Sequence, residues 1–171
     1  MKIIIDKNLY DSMSEKFSDI EFFTELEQCP DAEAIIGHGE EVKTEVLEKL
    51  HGLRWIQLPS AGYDKVDADY IRKRGIALTN AKDVFSIPIA EDVVCKILMH
   101  NTNAFKYIEN KKTRTWDRNL KRTELKGQTA GIIGTGSIAT EIAKRLKPFG
   151  VGILGYKRTP VMTMPYFDEI Y

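Results

Sequence analysis

The chain has 171 residues, of which 43% are hydrophobic and 29% are charged, a balance typical of a soluble globular protein. Basic and acidic residues number 25 each, so no charge excess points to nucleic acid as a partner. The apolar runs are short, which predicts no membrane span, and the N-terminal sequence MKIIIDKNLYD lacks the features of a signal peptide.

Short apolar runs alternate with helical patterns in the first half of the chain. The runs predicted as strands cover residues 2–6, 32–37, 53–58 and 76–80. Helical patterns lie around residues 42–51 and over residues 66–75, where Gly75 ends the second helix. This alternation is typical of a parallel α/β sheet that is covered by helices on both faces.

A longer helix is predicted from residue 86 to about residue 111, because this segment has no glycine and keeps a helical spacing of apolar residues. The charged residues 109–128 are predicted to form an exposed connection, with Trp116 as its anchor against a neighbouring element. A domain boundary placed inside the long helix divides the chain into residues 1–95 and 96–171.

The sequence GTGSIA at residues 134–139 matches the G-x-G-x-x-A form of a dinucleotide-binding turn. An apolar strand over residues 129–133 precedes it, a helix with an apolar face follows, and a second strand comes at residues 151–156. This βαβ context favours a pyrophosphate bound by the N–H groups at the helix start. The alternative is a tight turn without a ligand. Residues 158–171 have no periodicity and are predicted to form a surface loop.

The end of the second strand bears on which dinucleotide is bound. An acidic residue there normally accepts hydrogen bonds from the ribose hydroxyls. Lys157 stands at that position, 23 residues after Gly134, and Arg158 and Thr159 follow it. Two cations and a hydroxyl favour a 2′-phosphate, so NADP is predicted over NAD. The alternative is that both cations are solvated and NAD is held by other contacts.

Cysteine and histidine spacing predicts neither a disulfide nor a metal site. Cys29 and Cys95 lie far apart and neither has a CxxC partner, which favours reduced thiols in a cytoplasmic protein. The histidines, His38, His51 and His100, share no spacing typical of metal ligands.

Five blocks of this sequence resemble the D-isomer-specific 2-hydroxyacid dehydrogenases: residues 53–67, 75–81, 87–94, 124–139 and 146–159. The resemblance implies an α/β fold in which a flavodoxin-like parallel sheet unit is followed by the start of a Rossmann dinucleotide-binding unit. It assigns residues 1–95 to the N-terminal part of a substrate-binding domain. Residues 96–171 then form a linker helix and the truncated start of a nucleotide-binding domain.

The resemblance also implies the site residues. Backbone N–H groups of Ser60, Ala61 and Gly62 are expected to bind the carboxylate of a 2-oxo or 2-hydroxy acid. The cofactor-binding residues are expected to be Gly134, Thr135, Gly136, Ser137, Ile138, Lys157, Arg158 and Thr159. Ala139 replaces the family's usual third glycine and Lys157 its usual acid, which leaves the identity of the cofactor open between NADP and NAD.

No catalytic residue is predicted in this chain. The resemblance implies hydride transfer assisted by a histidine, its carboxylate partner and an arginine, all from the later part of the cofactor domain. The three histidines here all precede the glycine turn. We therefore expect an oxidoreductase fragment that is inactive alone, and the alternative is a non-catalytic dinucleotide-binding or self-association module.

The cofactor unit is expected to need cover from outside. Two of the roughly six strands of a Rossmann sheet are predicted, which leaves an open edge and an apolar face. A partner copy packed through the long helix would cover them, so we expect a homodimer.

Overall fold

The computed structural model describes residues 1–159 and 161–171, apart from the side chains of Glu40 and Glu41. These residues form two compact units, Met1–Val84 and Phe85–Tyr171. The boundary predicted at residue 95 falls inside a helix of the second unit, because that whole helix packs with the residues that follow it.

The first unit is built on a five-stranded sheet in which every pair of neighbouring strands is parallel. Its strands are β1 (Lys2–Ile5), β2 (Glu21–Phe23), β3 (Ala34–Ile36), β4 (Trp55–Leu58) and β5 (Ala77–Asn80). The strand order is β2-β1-β3-β4-β5, which is the order of flavodoxin. The flavodoxin-like fold is therefore confirmed.

Short helices connect these strands. They are α1 (Lys7–Lys16), α2 (Thr44–Leu47) and α3 (Ala68–Lys73), with 3₁₀ turns at Leu26–Gln28 and Gly39–Val42. Strand β2 has no counterpart in the sequence-based prediction, because its three residues are too short a run to show periodicity.

The core of the first unit lies on both faces of the sheet. Ile4, Ile35 and Ile56 are buried on one face, whereas Ile3 and Ile5 are buried on the other. Burial on both faces explains why the central strands are continuous apolar runs without polar alternation. Each fully buried isoleucine contributes roughly 1.5–3 kcal/mol of hydrophobic free energy.

The second unit has a three-stranded parallel sheet in the order β6-β7-β8. Its elements are α4 (Ser86–Asn101), α5 (Ala104–Lys112), β6 (Thr129–Ile133), α6 (Ser137–Leu146), β7 (Gly152–Tyr156) and β8 (Glu169–Ile170). The predicted single helix over residues 86–111 is wrong, since Asn103 takes a left-handed conformation at φ 56° and separates α4 from α5. The loop predicted over residues 158–171 contains β8.

Strand β8 is held on β7 by Asp168. Its Oδ2 accepts a hydrogen bond of 2.6 Å from the Ile153 N–H, and its other oxygen accepts one from Lys147 Nζ. The Lys147 ammonium, followed by the Ile153 N–H, lowers the pKa of the Asp168 carboxyl. The stabilisation is therefore present above the unfolded-state pKa and is lost as the pH falls through the folded-state value.

One face of the second sheet is covered and the other is exposed. Ala130 and Ile132 pack against buried side chains of α4 and α6, such as Val94 and Ala143. On the opposite face Ile133 is 89% exposed. Trp116 is 83% exposed, so its predicted role as an anchor against a neighbouring element of the chain is wrong.

Gly155, in the middle of β7, is required by packing. A Cβ at this residue would lie 2.7 Å from Ile170 Cδ1 and 2.8 Å from both Phe167 Cδ1 and Thr135 Cγ2. Such distances are below contact separation, so the glycine lets β8 and the turn after β6 close over β7.

We expect Gly155→Ala to destabilise the second unit by roughly 1–3 kcal/mol, because the added methyl overpacks three side chains. Thermal unfolding followed by circular dichroism measures the effect. Gly131→Ala in β6 is the matched control, since a Cβ there meets nothing within 4 Å. Equal melting temperatures for the two variants would contradict the packing role of Gly155.

Candidate functional site

The glycine turn joins β6 to α6 at the carboxyl edge of the second sheet. Gly134 has φ 86°, a left-handed conformation that glycine adopts without steric cost, and its N–H donates to the Tyr156 carbonyl at 2.9 Å. Gly136 is the extended residue before the helix, with φ −82° and ψ −166°. The turn is thereby fixed to the end of β7.

The start of α6 is open. No side chain makes a capping hydrogen bond to this helix, and the Thr140 N–H already donates to the Gly136 carbonyl at 2.9 Å. A Cβ added at Gly136 would meet nothing within 4 Å, so packing within the chain gives no reason for glycine here. An uncapped helix start with open space above a glycine is the geometry that admits an anion.

The neighbouring residues of the turn differ in exposure. Thr135 is buried, and its Oγ1 has no hydrogen-bond partner among the residues that the structure describes. Ser137 begins α6 and Ile138 is 40% exposed. Ala139 is buried on the face of α6 that packs on the sheet, which explains a small residue at that position.

Lys157, Arg158 and Thr159 leave the end of β7 beside the turn. The Lys157 N–H donates to the Tyr171 carbonyl at 2.7 Å, which fixes the backbone where β7 ends. The Lys157 residue is half-buried, whereas Arg158 and Thr159 are exposed. Within residues 1–159 and 161–171 neither cation has an ion-pair partner. The second unit thus places two uncompensated positive charges at the edge that carries the open helix start.

The loop of Ser60, Ala61 and Gly62 follows β4 at the carboxyl edge of the first sheet. All three of its carbonyl groups are used: Ser60 O accepts from Ala81 N–H at 3.1 Å, Ala61 O from Asn80 Nδ2 at 2.7 Å, and Gly62 O from Ser60 Oγ at 2.9 Å. In the described part of the chain, the Ala61 and Gly62 N–H groups meet no acceptor. The loop therefore presents donors and no free acceptor.

The same edge carries a polar pair for which spacing in the sequence gave no signal. His38 follows β3, and its Nδ1 lies 3.3 Å from Oδ2 of Asp6, which follows β1. Together with the Ser60–Gly62 loop, His38 lines a cavity of about 300 Å³. Parallel pairing of β1 with β3 and of β3 with β4 was the signal available, because it brings the residues after these strands to one edge.

Other kinds of site have little support in the described ranges. They contain no group of three or more metal-ligating side chains placed to hold an ion, and none of their helices meets the length and hydropathy needed to cross a bilayer. Cys29 and Cys95 are both free thiols, and burial raises the pKa of the Cys29 thiol.

Comparison with known proteins identifies relatives over most of the chain. Residues 5–159 match the family model of the D-isomer specific 2-hydroxyacid dehydrogenase catalytic domain. A D-3-phosphoglycerate dehydrogenase of Methanocaldococcus jannaschii is 35% identical over 133 residues, which are 77% of this chain and 25% of the relative. A glyoxylate reductase of Pyrococcus furiosus is 32% identical over 143 residues, 78% of this chain and 43% of the relative.

Solved structures share the fold over nearly the whole chain. A D-lactate dehydrogenase from Aquifex aeolicus, complexed with NAD and lactic acid, has a TM-score of 0.77 at 24% identity, covering 94% of this chain and 52% of its own. An NADPH-dependent glyoxylate/hydroxypyruvate reductase from Sinorhizobium meliloti has a TM-score of 0.80 at 23% identity, covering 98% and 57%. This chain therefore spans about half or less of the length of these proteins. From the match of its residues 5–159, the chain belongs to the D-isomer specific 2-hydroxyacid dehydrogenase family.

Proposed function

We propose that this chain binds a nicotinamide dinucleotide and the carboxylate of a 2-oxo or 2-hydroxy acid, as part of an NAD(P)-dependent oxidoreductase. The observation that carries the proposal is the uncapped start of α6 beside Lys157 and Arg158, which have no partner among the described side chains. In this proposal the first unit is the N-terminal part of the substrate-binding domain. The second unit begins the nucleotide-binding domain.

The pyrophosphate is bound by backbone N–H groups of the glycine turn. These groups point out of the helix start, where the helix dipole adds a favourable potential for an anion. The residues of this part of the site are Gly134, Thr135, Gly136, Ser137 and Ile138. The buried Thr135 takes part through its backbone while its side chain holds the turn against β7.

The residues after β7 favour NADP over NAD. The structural neighbours above include one protein complexed with NAD and one that depends on NADPH, so side chains rather than the fold decide the choice. Lys157 and Arg158 offer two positive charges to a 2′-phosphate, and Thr159 adds a hydroxyl. A ribose diol would instead gain from a carboxylate at residue 157.

The Ser60–Gly62 loop binds the substrate carboxylate. Since its carbonyl groups are engaged within the protein, the Ala61 and Gly62 N–H groups are the donors that an anion meets. A bound nicotinamide would accept or supply the hydride. The residues of this chain hold the two anionic ends of the reactants and exchange no proton.

We expect the 171-residue chain to bind its ligands without catalysing the reaction. The family resemblance assigns proton exchange to a histidine that follows the glycine turn, whereas His38, His51 and His100 precede it. A non-catalytic dinucleotide-binding or self-association module is the second candidate function. It is favoured by exposed apolar side chains of the second unit, among them Phe105 and Ile133, which a homodimer in the cytoplasm would cover.

Gly136→Ala tests the glycine turn. We expect NADPH affinity to fall by about tenfold or more, because the methyl group occupies the space where a phosphate approaches the backbone. The melting temperature should not change, since no protein atom lies within 4 Å of the new methyl. Isothermal titration calorimetry measures the affinity, with Gly131→Ala as the control. Unchanged affinity in Gly136→Ala would show that the turn holds no pyrophosphate.

Lys157→Asp tests the choice of cofactor. The unmodified chain should bind NADPH more tightly than NADH, and the variant should reverse that order, since a charge-assisted hydrogen bond is worth roughly 1.5–3 kcal/mol. Fluorescence titration with both nucleotides measures the ratio. Lys73→Asp in the first unit changes the net charge equally and should leave the ratio unaltered. Equal affinities in the unmodified chain would exclude the NADP preference.

Turnover tests the proposal that this chain binds without catalysis. Purified chain mixed with NADPH and glyoxylate, pyruvate or hydroxypyruvate should show no loss of absorbance at the nicotinamide band above a protein-free blank. Binding titrations on the same sample confirm that the protein is competent. Protein-dependent oxidation of NADPH by any of these acids would refute the expectation.

A further inference from the structure

The cavity beside the Ser60–Gly62 loop contains a second set of polar groups. It has a volume of about 300 Å³, within the size range of small-molecule sites, and its wall includes His38, Tyr63, Asp64 and Lys65. His38 and the loop follow adjacent parallel strands, β3 and β4, so they share one edge of the sheet. A carboxylate bound on the loop would leave the rest of its molecule in this cavity.

The state of the His38 ring is set by Asp6. Asp6 is mostly buried, its side chain being 10% exposed, and its Oδ1 accepts hydrogen bonds from Asn8 N–H at 2.8 Å and from Asn8 Nδ2 at 2.9 Å. The other oxygen, Oδ2, lies 3.3 Å from His38 Nδ1. Because a carboxylate only accepts, the proton of the neutral imidazole lies on Nδ1. The Nε2 atom is then left as a hydrogen-bond acceptor.

The charges around the cavity balance. Asp64 and Lys65 are opposite charges on its wall, and Asp6 is the negative partner of His38. The described side chains therefore supply no surplus positive charge for a second anionic group on the substrate. A neutral hydrogen-bond donor matches the Nε2 acceptor, whereas an alkyl group would displace water from a polar atom without replacing its hydrogen bond.

We propose that His38 determines substrate specificity by accepting a hydrogen bond from a hydroxyl group on the carbon next to the reacting carbonyl. The preferred substrates are then 2-oxo acids with a 3-hydroxyl group, and their 3-alkyl counterparts bind less well. The proposal rests on the proposed role of the Ser60–Gly62 loop in holding the carboxylate. His38 positions the far end of the substrate and takes no part in the chemistry.

Two acids of the same size separate this proposal from simple carboxylate binding. Hydroxypyruvate and 2-oxobutyrate have the same number of non-hydrogen atoms and differ by a hydroxyl in place of a methyl group. Titration of the ¹⁵N-labelled chain should shift the Ala61 and Gly62 amide signals with both acids. Hydroxypyruvate should bind about three- to tenfold more tightly, as expected for one added hydrogen bond.

Variants at His38 assign the preference. His38→Ala should bind both acids equally, whereas His38→Gln, which keeps an acceptor oxygen, should retain part of the preference. His51→Gln is the matched control, since His51 is exposed and precedes β4 rather than following it. The ¹⁵N shifts of the His38 ring in the unmodified chain should show a proton on Nδ1 and a change at Nε2 on adding hydroxypyruvate.

The outcomes distinguish the two proposals. If both acids shift the loop amides with equal midpoints and His38→Ala alters neither, the role of His38 is refuted while the carboxylate loop stands. If neither acid shifts the Ala61 and Gly62 amides, the loop itself is refuted, and the role of His38 fails with it. A proton found on Nε2 in the free chain would also overturn the His38 proposal.

Discussion

Parallel strand pairing is the constraint on which both units depend. Every strand pair described in the two sheets is parallel, so the connections that follow the strands of one sheet leave from a single edge. In the first unit this edge carries Asp6, His38 and the Ser60–Gly62 loop. In the second it carries the glycine turn and Lys157. Residues that are far apart in the sequence thereby become neighbours without any contact between their side chains being needed to specify the fold.

Both candidate sites offer backbone N–H groups to an anion, but they free those groups in different ways. In the second unit the donors are left over where α6 begins without a side-chain cap. In the first unit they are freed because Ala81, Asn80 and the Ser60 hydroxyl occupy the carbonyl groups of the loop. Backbone donors bring no charge of their own, so neighbouring cations such as Lys157 add preference among anions to a turn that binds them generally.

The glycines of the second unit serve separate physical purposes. Gly134 supplies a left-handed turn, and Gly155 makes room for Ile170, Phe167 and Thr135 inside the protein. Gly136 satisfies no such internal need, and its lack of a side chain leaves space on the outer surface. A glycine that packing does not explain is therefore the stronger indication of a ligand. The sequence motif alone does not make this distinction, because it contains Gly134 and Gly136 but not Gly155.

The sequence alone determined the strand-helix alternation, the flavodoxin-like and Rossmann units and the position of the glycine turn, because apolar periodicity and turn residues act over short distances. The tertiary structure decided what depends on distant neighbours. It paired the two-residue strand β8 with β7, broke the long helix at Asn103 and left Trp116 exposed. It also set His38 against Asp6, a contact that arises only because β1 and β3 are paired in the sheet, and pairing between strands is not written in local periodicity.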